Sequence, residues 1–351
     1  LKTEILSIDP LNIDIDKIRF AANVLKKGGL VVFPTETVYG LGANALNEEA
    51  VKNIFKAKGR PSDNPLIVHV AYKEHLEFLA KEVNTTAHEL IEKFWPGPLT
   101  MVMKKSSAVP YSITAGLDTV ALRMPSHPVA LSLIYEADIP VAAPSANRSG
   151  RPSPTKAEHV IEDLNGLVDV IIDSGSCKVG LESTVIDTIS VPPIILRPGG
   201  ITIEELQLVI SNVNIDQGIY DFSGNIAPRS PGMKYTHYSP EAEVVVVSGN
   251  LENVIKKILE LAKKAEQENK KTGILATNET LDSYKELNSL VFSVGTRVDM
   301  STIAANLFDV LRTFDENKIG IVFAEAVDEN GLGMAIMNRM TKASGYNIVY
   351  V

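Results

Sequence analysis

Apolar residues recur at helical spacing over residues 14–27, where Ile15, Ile18, Ala22 and Leu25 share a face and Gly28-Gly29 supplies a stop. A short apolar run follows at 30–33 and is broken by Pro34, which reads as a buried strand. Asn47 is placed to cap the next helix, with Glu48 and Glu49 near its positive end and Val51, Ile54 and Phe55 as its inner face. Lys56 and Lys58 fall near its C-terminus, where cations suit the helix dipole. Strands are expected at 66–70, 99–103, 119–124, 140–143, 168–173, 184–188 and 194–197. Helical material intervenes within 76–92 and at 129–136, 155–164 and 202–210. This intermixing predicts an α/β domain built on a large, twisted, mixed sheet.

The pattern fails between about 211 and 240, where Gly218, Gly224, Pro228, Pro231, Gly232 and Pro240 interrupt any regular element. Arg229, Lys234, Tyr235, His237 and Tyr238 make this stretch richer in aromatic and basic groups than a spacer requires, so a lid is expected. Beyond it, strands at 243–247, 273–276, 290–294 and 319–324 alternate with helices at 251–268, 302–314 and 333–343. That alternation predicts a small Rossmann-like, doubly wound parallel sheet. The expected partition is a catalytic domain over 1–211, a linker or lid over 212–242, and a C-terminal α/β domain over 243–351.

The chain has 351 residues, 45% hydrophobic and 22% charged, as in a soluble globular protein. A formal net charge of -9 argues against broad, sequence-blind binding of nucleic acid. One cysteine, Cys177, excludes an intrachain disulfide and a multi-cysteine metal site, and it reads as incidental. Residues 1–10 lack the basic-then-apolar pattern of a signal peptide, and no run approaches the ~18 apolar residues of a membrane span. A cytoplasmic location, with no membrane partner, is expected.

Chemistry concentrates in two loops. Lys58-Gly59-Arg60-Pro61-Ser62-Asp63-Asn64-Pro65-Leu66 leads from a helix into a strand and carries two cations and an amide. Pro144-Ser145-Ala146-Asn147 follows an apolar strand and adds a hydroxyl and a second amide. Such a set suits an anionic ligand such as a nucleotide phosphate. Arg123 and Arg197 each end an apolar strand before a proline, where α/β folds bind ligands. His69 lies out of phase with Val68 and Val70 and so leaves the face they share. Gly40-Leu41-Gly42-Ala43-Asn44-Ala45 fits G-x-G-x-x-A only loosely and reads as a structural glycine-rich turn. There is no G-x-x-x-x-G-K-[ST] loop and no H-E-x-x-H. A pocket rich in hydroxyls and arginines, without a general-base triad or metal cluster, points to positioning and charge neutralisation at a phosphate.

The stretch from Pro34 to Gly42 (Pro-Thr-Glu-Thr-Val-Tyr-Gly-Leu-Gly), Lys58-x-Arg60-Pro61, Pro65-Leu66, Trp95-Pro96-Gly97-Pro98-Leu99-Thr100, Ser145-x-Asn147, Glu182-Ser183-Thr184 and Leu196-Arg197-Pro198-Gly199 resemble the YrdC-like threonylcarbamoyl-AMP synthases, in the family's order. Ser230-Pro231-Gly232-Met233-Lys234-Tyr235-x-His237-Tyr238 and the terminal α/β unit resemble its long two-domain form, Sua-type. The resemblance implies a nucleotidyltransferase that makes threonylcarbamoyl adenylate from L-threonine, bicarbonate or CO2, and ATP, releasing pyrophosphate. It implies Mg2+ carried by ATP rather than by protein side chains, and no organic cofactor. The product would pass to a separate tRNA-modifying transferase complex, with tRNA binding weak or indirect. It further implies that Lys58, Arg60, Ser145 and Asn147 form a tetrad around the triphosphate and carboxylation site. Arg60, Asn64, Thr119, Ser145, Ser153, Arg197 and Tyr235 would hold ATP, with Tyr235 closing over the nucleotide. Thr37, His69, Arg123, Ala143 and Ser183 would hold threonine, with Arg123 toward its carboxylate. The alternative is an RNA-binding module of the same fold, against which the acidic charge and the lack of aromatic stripes weigh. A related hydrogenase-maturation carbamoyltransferase would need zinc-binding cysteine pairs, which one cysteine cannot supply.

Overall fold

The computed structural model describes residues 2–219 and 238–351. The chain divides into two compact units, one of residues 1–149 and 153–235, the other of residues 150–152 and 236–351. Residues 220–237 of the expected lid, Tyr235 and His237 among them, lie outside the described residues.

The first unit is organised on one mixed sheet. Its strands, in chain order, are Glu4–Ser7 (β1), Val31–Phe33 (β2), Gly40–Asn44 (β3), Ile67–His69 (β4), Leu99–Lys104 (β5), Thr119–Arg123 (β6), Val141–Ala142 (β7), Val170–Asp173 (β8), Thr184–Asp187 (β9), Ile194–Arg197 (β10) and Asn214–Ile215 (β11). Across the sheet they run β1-β8-β2-β3-β7-β4-β6-β5-β9-β10-β11. Parallel pairs such as β4–β6 and β5–β9 alternate with antiparallel ones such as β2–β3, β4–β7 and β5–β6. Residues 214–215 pair with β10, so the sheet continues past residue 211.

Side-chain alternation along the strands divides the core between the two faces. Val32, Leu41, Val68, Met101, Leu122 and Ile186 pack on one side with Val51, Ile54 and Leu90. Val31, Phe33, Val141, Val170 and Ile172 pack on the other with Ile18, Leu25, Leu133 and Ile134. The Gly40–Asn44 segment, read from sequence as a turn, is a strand between β2 and β7. Its glycines follow from crowding. A Cβ on Gly42 would stand 2.8 Å from the Phe33 ring and 3.0 Å from a Val141 methyl.

Caps fix the helix that leads to the first loop. The Asn47 side chain accepts from the Glu49 and Ala50 amides at the start of Glu48–Lys58. At its end Gly59 is left-handed (φ 60°), and the Arg60 amide donates back to the Phe55 carbonyl at 2.9 Å. This glycine-terminated end sets the directions in which Lys58 and Arg60 leave the helix.

The second unit holds a wholly parallel sheet of Glu243–Ser248 (β12), Thr272–Ala276 (β13), Leu290–Ser293 (β14), Ile321–Glu325 (β15) and Ile348–Tyr350 (β16), in the order β14-β13-β15-β12-β16. Val245, Val247, Ile274, Ala276 and Phe323 form one core with Val254, Ile258 and Ala262 of the helix Leu251–Gln267. The alternate strand positions Val244, Val246, Leu275, Val322 and Ala324 are buried as well, as a doubly wound sheet requires. Among the described residues no helix is long and apolar enough to cross a membrane.

Candidate active site

Lys58 joins the two loops into one structure. It is the last residue of its helix, and its side chain turns inward while Lys56 stays exposed. Its Nζ donates to the carbonyls of Ser145 and Asn147, each at 2.5 Å, and to Asn147 Oδ1 at 3.3 Å. The Ser145 hydroxyl donates to the same Oδ1 at 2.6 Å, and the Ser149 amide returns to the Lys58 carbonyl at 2.9 Å. Dipole complementation was one explanation of Lys58 from sequence. The fold adds a second: a cation 87 residues away in sequence holds the Ser145–Asn147 turn in shape.

The β4–β6 pair has two polar ends. Its strands are parallel, with Ile67 opposite Ala121 and His69 opposite Arg123. Asn64 precedes β4 at the end where Thr119 begins β6. The antiparallel neighbour β7 carries the chain through Ala143, whose amide bonds the Ile67 carbonyl, toward Ser145 at that same end. Asn64 is 1% exposed, yet neither its Oδ1 nor its Nδ2 has a hydrogen-bond partner. A buried amide with both functions unmet costs about 1–3 kcal/mol per group, which a ligand would recover. Arg60 stands half-buried, four residues before it.

At the far end, roughly 13 Å along β6 from Thr119, lie His69 and Arg123. The Arg123 guanidinium is buried. Its Nη1 donates to Thr37 Oγ1 at 2.9 Å and its Nε to the Gly97 carbonyl at 3.3 Å. Its Nη2 lies 2.7 Å from Glu36 Oε1 in a buried ion pair. Glu36 Oε2 accepts the Ser126 amide at 3.1 Å, and Thr35 Oγ1 lies 2.8 Å from Thr37 Oγ1. His69 meets Phe33 edge-on, and its Nδ1 has no partner. Burial, reinforced by the Arg123 charge, pushes the His69 pKa down to about 3, so the ring is neutral at pH 7.

A third group surrounds β9 and β10. Arg197 donates from Nε and Nη2 to the Ser183 carbonyl at 3.1 and 2.9 Å and from Nη2 to Ser183 Oγ at 3.2 Å. Ser183 Oγ also lies 2.7 Å from Thr100 Oγ1. Ser153, fully buried, donates to Glu182 Oε1 at 2.5 Å. Gly199 explains the glycine after Arg197-Pro198, because a Cβ there would stand 2.4 Å from the backbone of residues 182–184.

The structure therefore joins Lys58, Ser145 and Asn147; Thr37 and Arg123, with His69 beside Arg123 across the strands; and Ser183 with Arg197. Thr119 lies at the opposite end of its strand from Arg123. Tyr235 is outside the described residues. Cys177 is buried and its thiol is pushed up by that burial, which opposes a nucleophilic role at neutral pH. Glu36 and Glu182 were not singled out as site residues. Glu36 sits inside a quoted motif, but nothing local marks it as the counter-ion of a residue 87 positions on. Among the described residues no group of three or more His, Cys, Asp or Glu could hold a metal ion.

Residues 23–199 match the Sua5/YciO/YrdC family model, described as telomere recombination, and residues 201–345 match the threonylcarbamoyl-AMP synthase C-terminal domain. A threonylcarbamoyl-AMP synthase of Pyrococcus abyssi is 53% identical over 335 residues, covering 95% of this chain and 96% of that protein. One from Bacillus subtilis is 48% identical over 342 residues, covering 97% and 96%. The crystal structure of Pyrococcus abyssi Sua5 complexed with L-threonine matches with a TM-score of 0.94 and 51% identity, covering 99% of this chain and 100% of that one. Matched over its length by these proteins and by both domain models, the chain belongs to the threonylcarbamoyl-AMP synthase family in its two-domain form.

Proposed function

We propose that this chain condenses L-threonine, bicarbonate or CO2, and ATP into threonylcarbamoyl adenylate and pyrophosphate. The carrying observation is that buried polar groups lack partners at both ends of the β4–β6 pair. Asn64 is unmet at one end, and His69 Nδ1 has no hydrogen-bond partner at the other, beside the Arg123–Glu36 ion pair. Two separate sets of unmet groups, linked by one strand pair, suit two substrates held end to end. The relatives' names supply the reaction, and the threonine complex of the Pyrococcus abyssi protein supplies the amino acid.

In this reading the threonine ammonium first gives up a proton to solvent; the free amine then bonds to the carbon of CO2 and releases a second proton, giving a carbamate. A carbamate oxygen then attacks the α-phosphorus, the bond to the β-phosphate bridge breaks, and pyrophosphate leaves. Two anions must meet, so the protein's task is to neutralise and align. Arg60, with the Lys58 charge behind the Ser145–Asn147 turn, faces the phosphates. Asn64, Thr119, Ser153, Arg197 and Tyr235 hold the nucleotide. Thr37, Arg123, His69, Ala143 and Ser183 hold threonine, its carboxylate toward Arg123. The Ser145 and Asn147 oxygens are hard donors of the kind Mg2+ accepts, and Mg2+ carried on the triphosphate would supply further charge neutralisation there. The product passes, in the cytoplasm, to a separate transferase that modifies tRNA.

Pyrophosphate release from ATP tests this. Release should require both L-threonine and bicarbonate and fall with serine in threonine's place. Release indifferent to threonine would refute the reading. Arg60→Ala should lower the rate by about 10²–10³-fold with the fold unchanged by circular dichroism.

A further inference from the structure

Gly150, Arg151 and Pro152 pack with the second unit, although Ser149 and Ser153 on either side belong to the first. Both neighbours are tied into loops of the candidate site. The Ser149 amide donates to the Lys58 carbonyl at 2.9 Å, and Ser153 donates to Glu182 Oε1 at 2.5 Å. The residues between them are held from the C-terminal part of the chain. The Gly150 carbonyl accepts the Ser239 amide at 2.9 Å, and the Pro152 carbonyl accepts Arg312 Nε at 3.2 Å and Nη2 at 2.7 Å. Arg312 lies on the helix Met300–Glu316 and is 1% exposed. Taking a guanidinium out of water is costly, and two of its nitrogens converge on one carbonyl 160 residues away in charge-assisted bonds. One turn before it Phe308 stacks on Tyr238 at 5.2 Å, and one turn after it Asp315 Oδ1 accepts the Glu241 amide at 2.8 Å. One helix face therefore holds both residues 150–152 and residues 238–241.

The Pro152 carbonyl and the Ser153 amide belong to one planar peptide unit, so a guanidinium that fixes the first fixes the direction of the second. We propose that Arg312 is a positioning residue for ATP, setting the Ser153 backbone and with it the loop that runs from Asn147 to Ser153. This rests on the reading above, in which Asn147 and Ser153 serve the nucleotide, and adds to that site a residue of the C-terminal domain. The Thr37–Arg123 bond and the β4–β6 register that place the threonine groups involve none of residues 150–152. Loss of Arg312 therefore falls on ATP and spares threonine.

The test is pyrophosphate release by the full-length protein, with ATP and L-threonine varied in turn. Arg312→Met keeps an unbranched side chain and removes the donors. It should raise KM for ATP about 10-fold and leave KM for threonine and kcat at their wild-type values. Arg312→Lys, which keeps a charged donor, should recover part of that loss, and it supplies the same reading if Arg312→Met does not fold. Tyr284→Phe loosens the same domain elsewhere, by deleting the hydroxyl that donates to Glu325 Oε1 at 2.7 Å. It should leave KM for ATP unchanged. Three results would each overturn the proposal: an unchanged KM for ATP in a folded Arg312 variant, equal rises in both KM values, or a rise in Tyr284→Phe that matches Arg312→Met. Pyrophosphate release by wild type that ignores threonine would instead sink the functional reading on which this rests.

Discussion

Each domain holds an arginine–glutamate pair, and the two are built differently: Arg123 and Glu36 are both buried, whereas Arg297 is half-buried against a buried Glu325. In the C-terminal domain Arg297 donates from Nη2 to Glu325 Oε2 at 2.9 Å and to the Ala326 carbonyl at 3.0 Å, and from Nε to Thr277 Oγ1 at 3.2 Å. Glu325 also takes Tyr284 OH at 2.7 Å and Thr277 Oγ1 at 3.2 Å, so both its oxygens are engaged. In the first domain Arg123 and Glu36 approach more closely, at 2.7 Å, and the other Arg123 nitrogens go to Thr37 and Gly97. The arrangement in the C-terminal domain completes a network at the C-terminal edge of a parallel sheet, a place where such folds often bind ligands, and fills it with its own side chains. Beside the Arg123 pair, His69 Nδ1 is buried without a hydrogen bond, whereas no member of the Arg297 network lacks a partner.

The comparison breaks most readily at the closed pair. Glu325→Ala removes the charge partner of the half-buried Arg297 and leaves the Thr277 and Tyr284 hydroxyls without their acceptor, and should cost about 3 kcal/mol. Denaturant titration should show that loss, while the threonine affinity of the folded variant stays at the wild-type value. A large loss of threonine affinity in the folded variant would erase the distinction.

The next effect belongs to His69. Its folded pKa, about 3, lies below the ordinary value of 6.5, so the unfolded chain binds a proton the native ring refuses. Stability from this group is therefore complete above pH 6.5 and is lost as pH falls toward 3. Between pH 6.5 and 4.5 the loss should be roughly 2 kcal/mol, and His69→Gln should flatten that part of the profile. Parallel profiles for the two proteins would mean that the ring is not held neutral by burial and Arg123.

The smallest effect sharpens the contrast. The Asn64 side chain is buried without a hydrogen bond, so Asn64→Ala removes no protein hydrogen bond and should alter stability by less than about 1 kcal/mol. If the amide serves the nucleotide, KM for ATP should rise about 10-fold with KM for threonine unchanged. A large drop in melting temperature would assign Asn64 to the scaffold instead.

Much of the architecture was legible in local pattern. Helical spacing marked the helix Ile15–Lys26, and Asn47 with Gly59 bracketed the helix that delivers Lys58. The βαβ alternation of the second domain emerges as a wholly parallel sheet. Gly40–Asn44 was missed because glycine carries no β-propensity of its own; the strand exists there because Phe33 and Val141 leave no room for a Cβ. The end of the first domain was missed for a similar reason, since the two residues of β11 are too few to show a period.

By itself the amino-acid sequence determined which elements form and which motifs accompany one another, because caps, apolar periods and short loops act over a few residues. Lys58, Arg60, Asn64, Ser145 and Asn147 could be named from it. Only the tertiary structure decided that Lys58 clamps the Ser145–Asn147 turn, that Asn64 and the His69–Arg123 group occupy opposite ends of one strand pair, and that Glu36 is the buried counter-ion of Arg123. Those relations join residues 87 or more positions apart or depend on strand register. They are set by how two faces of one sheet pack, which no local spacing encodes.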